Sequence, residues 1–160
     1  MRLLKIICLA GALLFSQLSL AAVTQAPLIK LPALQGEFDL AKLQGKVVYL
    51  DFWASWCIPC RQSFPWMNEM QARYQDKGLE VVAVNLDKNR ALADEFLQKL
   101  EAHFTIAFDA DGESAKAYNL RGMPSSYLIG RDGKLYASHI GFREKDKAKM
   151  EQAIQQLLNQ

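Results

Sequence analysis

Cys57 and Cys60 stand two residues apart in the stretch DFWASWCIPCRQSFPW, Asp51 to Trp66. Two thiols at that spacing can form half of a zinc site, a static staple, or a dithiol that closes and reopens its own disulfide. A structural zinc wants four Cys or His ligands, usually as two such pairs. The chain adds His103 and His139, and neither shows ligand spacing. A staple closing so small a loop constrains the unfolded chain little. A peroxide-reducing cysteine wants a hydroxyl nearby, and the position three before Cys57 is Ala54. Redox exchange fits best. In a helix, residues i and i+3 share a face, so the two sulfurs can join with little backbone movement. The positions are then unequal. Cys57 sits at the helix N-terminus, where free N–H groups and the macrodipole favour the reactive thiolate. Cys60, one turn in and more buried, suits the resolution of a mixed disulfide. Ile58 and Pro59 between them bring no cation, which favours a reducing over an oxidising potential.

The flanking sequence supplies the elements that would hold such a pair. Lys46 to Trp53, KVVYLDFW, reads as a strand buried on both faces. A helix follows from Cys57, with Pro59 in its first turn. Phe64, Met67, Gln71 and Tyr74 lie near one face, Pro65 is expected to kink it, and Gly78 stops it. Leu79 to Leu86 reads as a second buried strand. Asp87 or Asn89 can cap a helix over Arg90 to Glu101, whose apolar stripe is Leu92, Phe96, Leu97 and Leu100. A short strand over Phe104 to Phe108 and a short helix over Ser114 to Leu120 follow. Ser125 to Ile129 and Lys134 to Ile140 read as a hairpin joined by GRDG. Asp146 to Leu158 is a last amphipathic helix, with Met150, Ile154, Leu157 and Leu158 inward. Ahead of all this, Leu28 to Leu31 and Gly36 to Leu40 could be short strands around a turn. The order is that of an α/β domain with a parallel portion and a terminal antiparallel hairpin.

The N-terminus reads differently. Arg2 and Lys5 precede an apolar run from Ile6 to Phe15, and Ser19-Leu20-Ala21 offers small residues for cleavage after Ala21. Residues 1–21 are therefore expected to be a signal peptide, with an uncleaved membrane anchor as the rival, and residues 22–160 a single domain. Cleavage removes Cys8 and leaves Cys57 and Cys60 as the only pair. It also removes two of the 19 basic residues, which then equal the 17 acidic ones. No basic excess remains to attract nucleic acid.

The segment DFWASWCIPC resembles the active-site segment of the thioredoxin superfamily. Together with GMPSSYLIG, the extended N-terminus and the extra helix and strand between Asp87 and Phe108, it resembles the exported TlpA/ResA-like branch. The resemblance spans roughly Leu28 to Leu158. It implies a thioredoxin fold, a three-layer α/β/α arrangement on a mixed sheet, with an N-terminal extension and a central helix–strand insertion. It implies an exported thiol–disulfide oxidoreductase, periplasmic, monomeric, needing no cofactor or metal. Its partners would be protein thiols and disulfides and a membrane thiol electron donor. By the same resemblance Cys57 is the attacking cysteine and Cys60 the resolving one. Pro124 matches a cis-proline that brings the Met123 backbone beside the pair, to meet an extended substrate. Asp51 matches a buried carboxylate able to take the Cys60 proton, and Trp56 packs beside the site. One residue departs from the pattern. Relatives that reduce apocytochrome c often carry Glu three residues after the second cysteine, and here that residue is Ser63. Two other uses of the site are an oxidase or isomerase and a non-catalytic binder of extended chains in the Met123–Pro124 groove.

Overall fold

The computed structural model describes residues 24–160. The expected signal peptide, its expected cleavage point and Cys8 lie outside the described residues. Seven strands and four helices follow in order: β1 (Lys30–Pro32), β2 (Glu37–Asp39), β3 (Val47–Trp53), α1 (Ile58–Tyr74), β4 (Leu79–Asn85), α2 (Arg90–Lys99), β5 (Thr105–Phe108), α3 (Glu113–Ala117), β6 (Ser125–Ile129), β7 (Leu135–Ile140) and α4 (Lys147–Leu158). The main sheet runs β5-β4-β3-β6-β7. Its β3, β4 and β5 are parallel, while β6 and β7 join antiparallel. The first two strands form their own antiparallel pair, held to the sheet by an Ala33–Ala107 bridge.

Every residue of β3 is buried, as a central strand covered on both faces demands. Its alternation divides the core. Val47, Tyr49 and Trp53 face a cluster with Phe64, Met67 and Met70 of α1, Phe96 of α2, and Ile154 of α4. Val48, Leu50 and Phe52 face the other side, covered by Tyr118 beyond α3 and by Phe38 and Leu40 of the N-terminal segment. The mixed sheet is thus sandwiched, with three helices on one side and a thinner layer on the other. This is the thioredoxin fold.

Several boundaries and roles differ from the reading of the sequence. The α1 helix runs through Pro65 to Tyr74 as one element, although Pro65 cannot donate to Arg61. Leu92 is not part of the buried stripe of α2; it is 45% exposed, and Ala93 and Phe96 are the buried residues. The α2 cap is Asn89, which accepts from Ala91 N at 3.1 Å. The α3 helix ends early, at Ala117, and Asn119 takes a left-handed φ of 51° just beyond it. In the β6–β7 turn, Gly133 adopts φ +76°, and its N–H donates to Gly130 O at 2.9 Å. That conformation is one that glycine takes without a Cβ clash.

Candidate active site

The chain leaves β3 at Trp53 and turns at once into α1, with Cys57 N donating to Ala54 O at 3.0 Å. Cys57 is the N-cap of α1, with extended dihedrals and no side-chain cap, and Pro59 lies in the first turn. The first turn of α1 therefore begins at Cys57, although none of its amides hydrogen-bonds the Cys57 side chain. Cys57 and Cys60 are joined as a disulfide, S–S 2.03 Å with Cα atoms 5.3 Å apart. Cys60 is fully buried and Cys57 is only 4% exposed. Ser63 is buried one turn further on, its hydroxyl donating to Cys60 O at 3.0 Å. It holds the helix rather than supplying a carboxylate.

A residue not singled out for the site in the sequence anchors the turn before Cys57. Asp87, six per cent exposed, accepts from Ser55 N at 2.8 Å, Ser55 Oγ at 2.9 Å and Asn85 Nδ2 at 2.8 Å. On the opposite side, Arg61 Nη2 donates to Ser55 O at 3.3 Å. Ser55 is clamped from both sides, two residues ahead of the attacking position. The sequence offered Asp87 as a possible cap for α2, a position that Asn89 fills. The one signal that could have found it is its place just past the C-terminal end of a parallel strand, where α/β folds collect their sites. Asp87→Ala should lower the unfolding free energy by about 2 kcal/mol, because one buried donor and two part-buried ones lose their acceptor. Urea denaturation of the oxidised protein measures it, and Asp87→Asn should lose less.

The carboxylate expected at Asp51 is inside the protein. Asp51 is 2% exposed, and by the alternation of β3 it points to the α1 side with Tyr49 and Trp53. Burial holds its carboxyl well above the usual carboxylate range, and Oδ2 has no hydrogen-bond partner. Burial, and then the Asp51 charge, push the Tyr49 phenol up as well.

Met123–Pro124 is a cis peptide bond. In the β3–β6 ladder, Phe52 pairs with Ser125, so one more step of that register sets Pro124 across from Trp53, four residues before Cys57. Met123 packs against the hydrophobic cluster that contains both cysteines. Trp56 is not in the core: it is 67% exposed, as Ile58 is 72% and Leu92 45%. Trp56, Arg61, Leu92 and Phe96 border a groove of about 290 Å3, with the Arg61 guanidinium over the Phe96 ring. The nearly buried Cys57 is thus flanked along the chain by two exposed apolar residues, Trp56 and Ile58. Among the described residues, no three His, Cys, Asp or Glu side chains converge on a metal position, and no helix is long and apolar enough to cross a membrane.

The model of the Redoxin family matches residues 21–154. The thiol-disulfide oxidoreductase ResA of Bacillus thuringiensis subsp. konkukian is 33% identical over 134 residues, which cover 83% of this chain and 76% of that protein. ResA of Bacillus subtilis is 30% identical over 139 residues, covering 83% and 78%. A crystal structure assigned as a thiol:disulfide interchange protein DsbE from Chlorobium tepidum shares 52% identity and superposes with a TM-score of 0.84, covering 88% of this chain and 99% of that one.

Proposed function

Because the chain belongs to the redoxin family and is a TlpA/ResA-like thiol–disulfide oxidoreductase, we propose that it works as an exported reductase of protein disulfides. Residues 1–21 are the export signal and residues 22–160 the working domain. The observation that carries this reading is the Cys57–Cys60 disulfide at the start of α1, with only Ile58 and Pro59 between its sulfurs. Nothing in that pair adds positive charge to the helix dipole. Cys57 gains a thiolate fit for attack without the extra stabilisation that makes a dithiol a strong oxidant.

In the cycle, the reduced Cys57 thiolate attacks one sulfur of a substrate disulfide and the other sulfur leaves. Cys60 then attacks Cys57, closing the intramolecular bond and releasing the substrate as a dithiol. Asp51 takes the Cys60 proton in that second step, a task suited to a carboxyl whose pKa burial has raised. The Met123 backbone, turned by the cis Pro124 bond, receives an extended substrate segment, and Trp56 gives it an apolar seat. A membrane thiol carrier restores the dithiol. Ser63, where a carboxylate would favour apocytochrome c, supports a broader set of substrates.

Equilibration of the pair against defined thiol–disulfide buffers tests the direction. The expected midpoint lies near that of thioredoxin, about −270 mV. A midpoint near about −120 mV, typical of a strong thiol oxidant, would overturn the reductase reading.

A further inference from the structure

Asp51 sits in the interior, with α1 between it and the solvent around the disulfide. If it takes a proton there, that proton needs a way out. Across the sheet from Asp51, the register places Ser126 directly opposite on β6, and His139 directly opposite Ser126 on β7. Directly opposed residues point to the same face, with Cβ atoms roughly 4.5–5.5 Å apart. Asp51, Ser126 and His139 therefore form one polar row on the α1–α4 side, running from the middle of the sheet to its edge. Such a row is out of place in an otherwise apolar layer.

The outer half of the row opens into a cavity of about 220 Å3 between β7 and α4. Tyr49, Ser126, His139 and Met150 line its inner part, and the exposed Ser138 and Lys149 line its mouth. At about 30 Å3 per water it has room for several, and Ser126, Ser138, His139 and Lys149 offer them polar partners on an otherwise apolar wall. The Tyr49 hydroxyl, which donates to Met150 Sδ at 3.7 Å, stands beside Ser126. His139 joins the two environments. Its Nε2 is buried without a hydrogen-bond partner, while its side chain as a whole is 28% exposed. The groups facing it are Asp146 Oδ2 at 3.5 Å, the Lys149 ammonium at the cavity mouth, and the neutral Tyr49; Arg143 in turn binds Asp146.

We propose that Ser126, the cavity and His139 form the proton route between Asp51 and solvent, opening on the α4 side of the sheet and away from the disulfide. This rests on the reading of Asp51 as the base for Cys60. When Cys60 closes on Cys57, its sulfur loses a proton to Asp51. The new S–S bond takes the Cys60 electron pair, and the substrate sulfur departs with the pair of the broken mixed disulfide. The Asp51 proton then passes through the Ser126 hydroxyl and cavity water to His139, which releases it near Asp146. Histidine suits that last position, because either ring nitrogen can carry a proton and hand it on.

A laser pH jump on the full oxidised protein tests the route. Trp53, two residues from Asp51 on the same face, reports its ionisation by fluorescence. Asp51→Asn removes the signal and so identifies it. Ser126→Ala and His139→Gln should each slow the relaxation about tenfold and leave the equilibrium midpoint unchanged. His139→Ala should regain speed when free imidazole is added. Relaxation at the parent rate in both Ser126→Ala and His139→Gln would overturn the route. So would slowing accompanied by a shifted midpoint and no imidazole effect, which marks a structural change alone. Disulfide exchange by Asp51→Asn is measured separately. If it matches the parent while the relaxation results hold, the base assignment fails and the proton route stands.

Discussion

Replacing Cys57 with serine will reduce insulin disulfide reduction to background, a loss on the order of 1000-fold or more, because covalent exchange has no other entry point. The alcohol of serine is far less acidic than a thiol, and the amides at the start of α1 cannot make it a useful nucleophile. Loss of fold is not the cause. The bridge closes a loop so short that removing it should cost only about 2 kcal/mol of the oxidised protein's stability. That leaves most of the roughly 5–15 kcal/mol that holds a domain of this size. Circular dichroism and urea denaturation should therefore find Cys57→Ser folded. The companion change, Cys60→Ser, should behave in the opposite manner: Cys57 still attacks, nothing resolves the product, and mixed disulfides accumulate on non-reducing gels. Partners recovered from that variant are the physiological substrates. Appreciable reductase activity in Cys57→Ser would mean that the pair is not the catalytic centre and that the chain binds extended segments without exchanging sulfur.

Asp51→Asn carries the second large effect, and it acts on stability as well as rate. In the folded protein burial raises the Asp51 carboxyl, while in the unfolded chain it titrates at its ordinary value. Between those two values the folded state holds one proton more than the unfolded state, so stability falls as pH rises. The fall is about 1.4 kcal/mol per pH unit across that window, and it is complete once pH passes the folded value. Asparagine does not titrate. Urea midpoints of the oxidised parent should therefore decline from about pH 4 upward by this contribution, while Asp51→Asn lacks it. The variant becomes relatively more stable the higher the pH. Two curves that stay parallel from pH 4 to 8 would show that Asp51 does not carry a raised pKa. On the kinetic side, the same variant should close its mixed disulfide more slowly above neutral pH, with the fold intact.

Much of the fold could be read without coordinates. The unbroken apolar character of KVVYLDFW marks a central strand, and the CIPC spacing with Pro59 in the next turn marks a helix start. Those features are local, so spacing expresses them. The cis bond at Met123–Pro124, which the structure contains, was expected from the family resemblance alone. Asp87 escaped because an acid that accepts Ser55 N looks, in one dimension, like an acid that caps α2. Leu92 was assigned inward because helical periodicity marks a face without saying whether anything covers it. Ser126 and His139 could not be joined to Asp51 at all: their neighbourhood comes from strand register, and 75 to 88 positions separate them along the chain. The exposed position of Trp56 was hidden for a similar reason, since its burial depends on what α2 leaves open.

The exposed Trp56, Ile58 and Leu92, in a chain whose Cys57 is 4% exposed, would act as a kinetic filter. A small thiol or a dissolved oxidant meets Cys57 through a narrow angle and gains nothing from the surrounding apolar surface. A polypeptide segment covers that surface, displaces its water, and spends a longer time in line with the sulfur. Selection therefore takes place before any bond changes, on the dwell time of the visitor. On that reading a reactive thiolate would pass electrons mainly to partners large enough to rest on this surface.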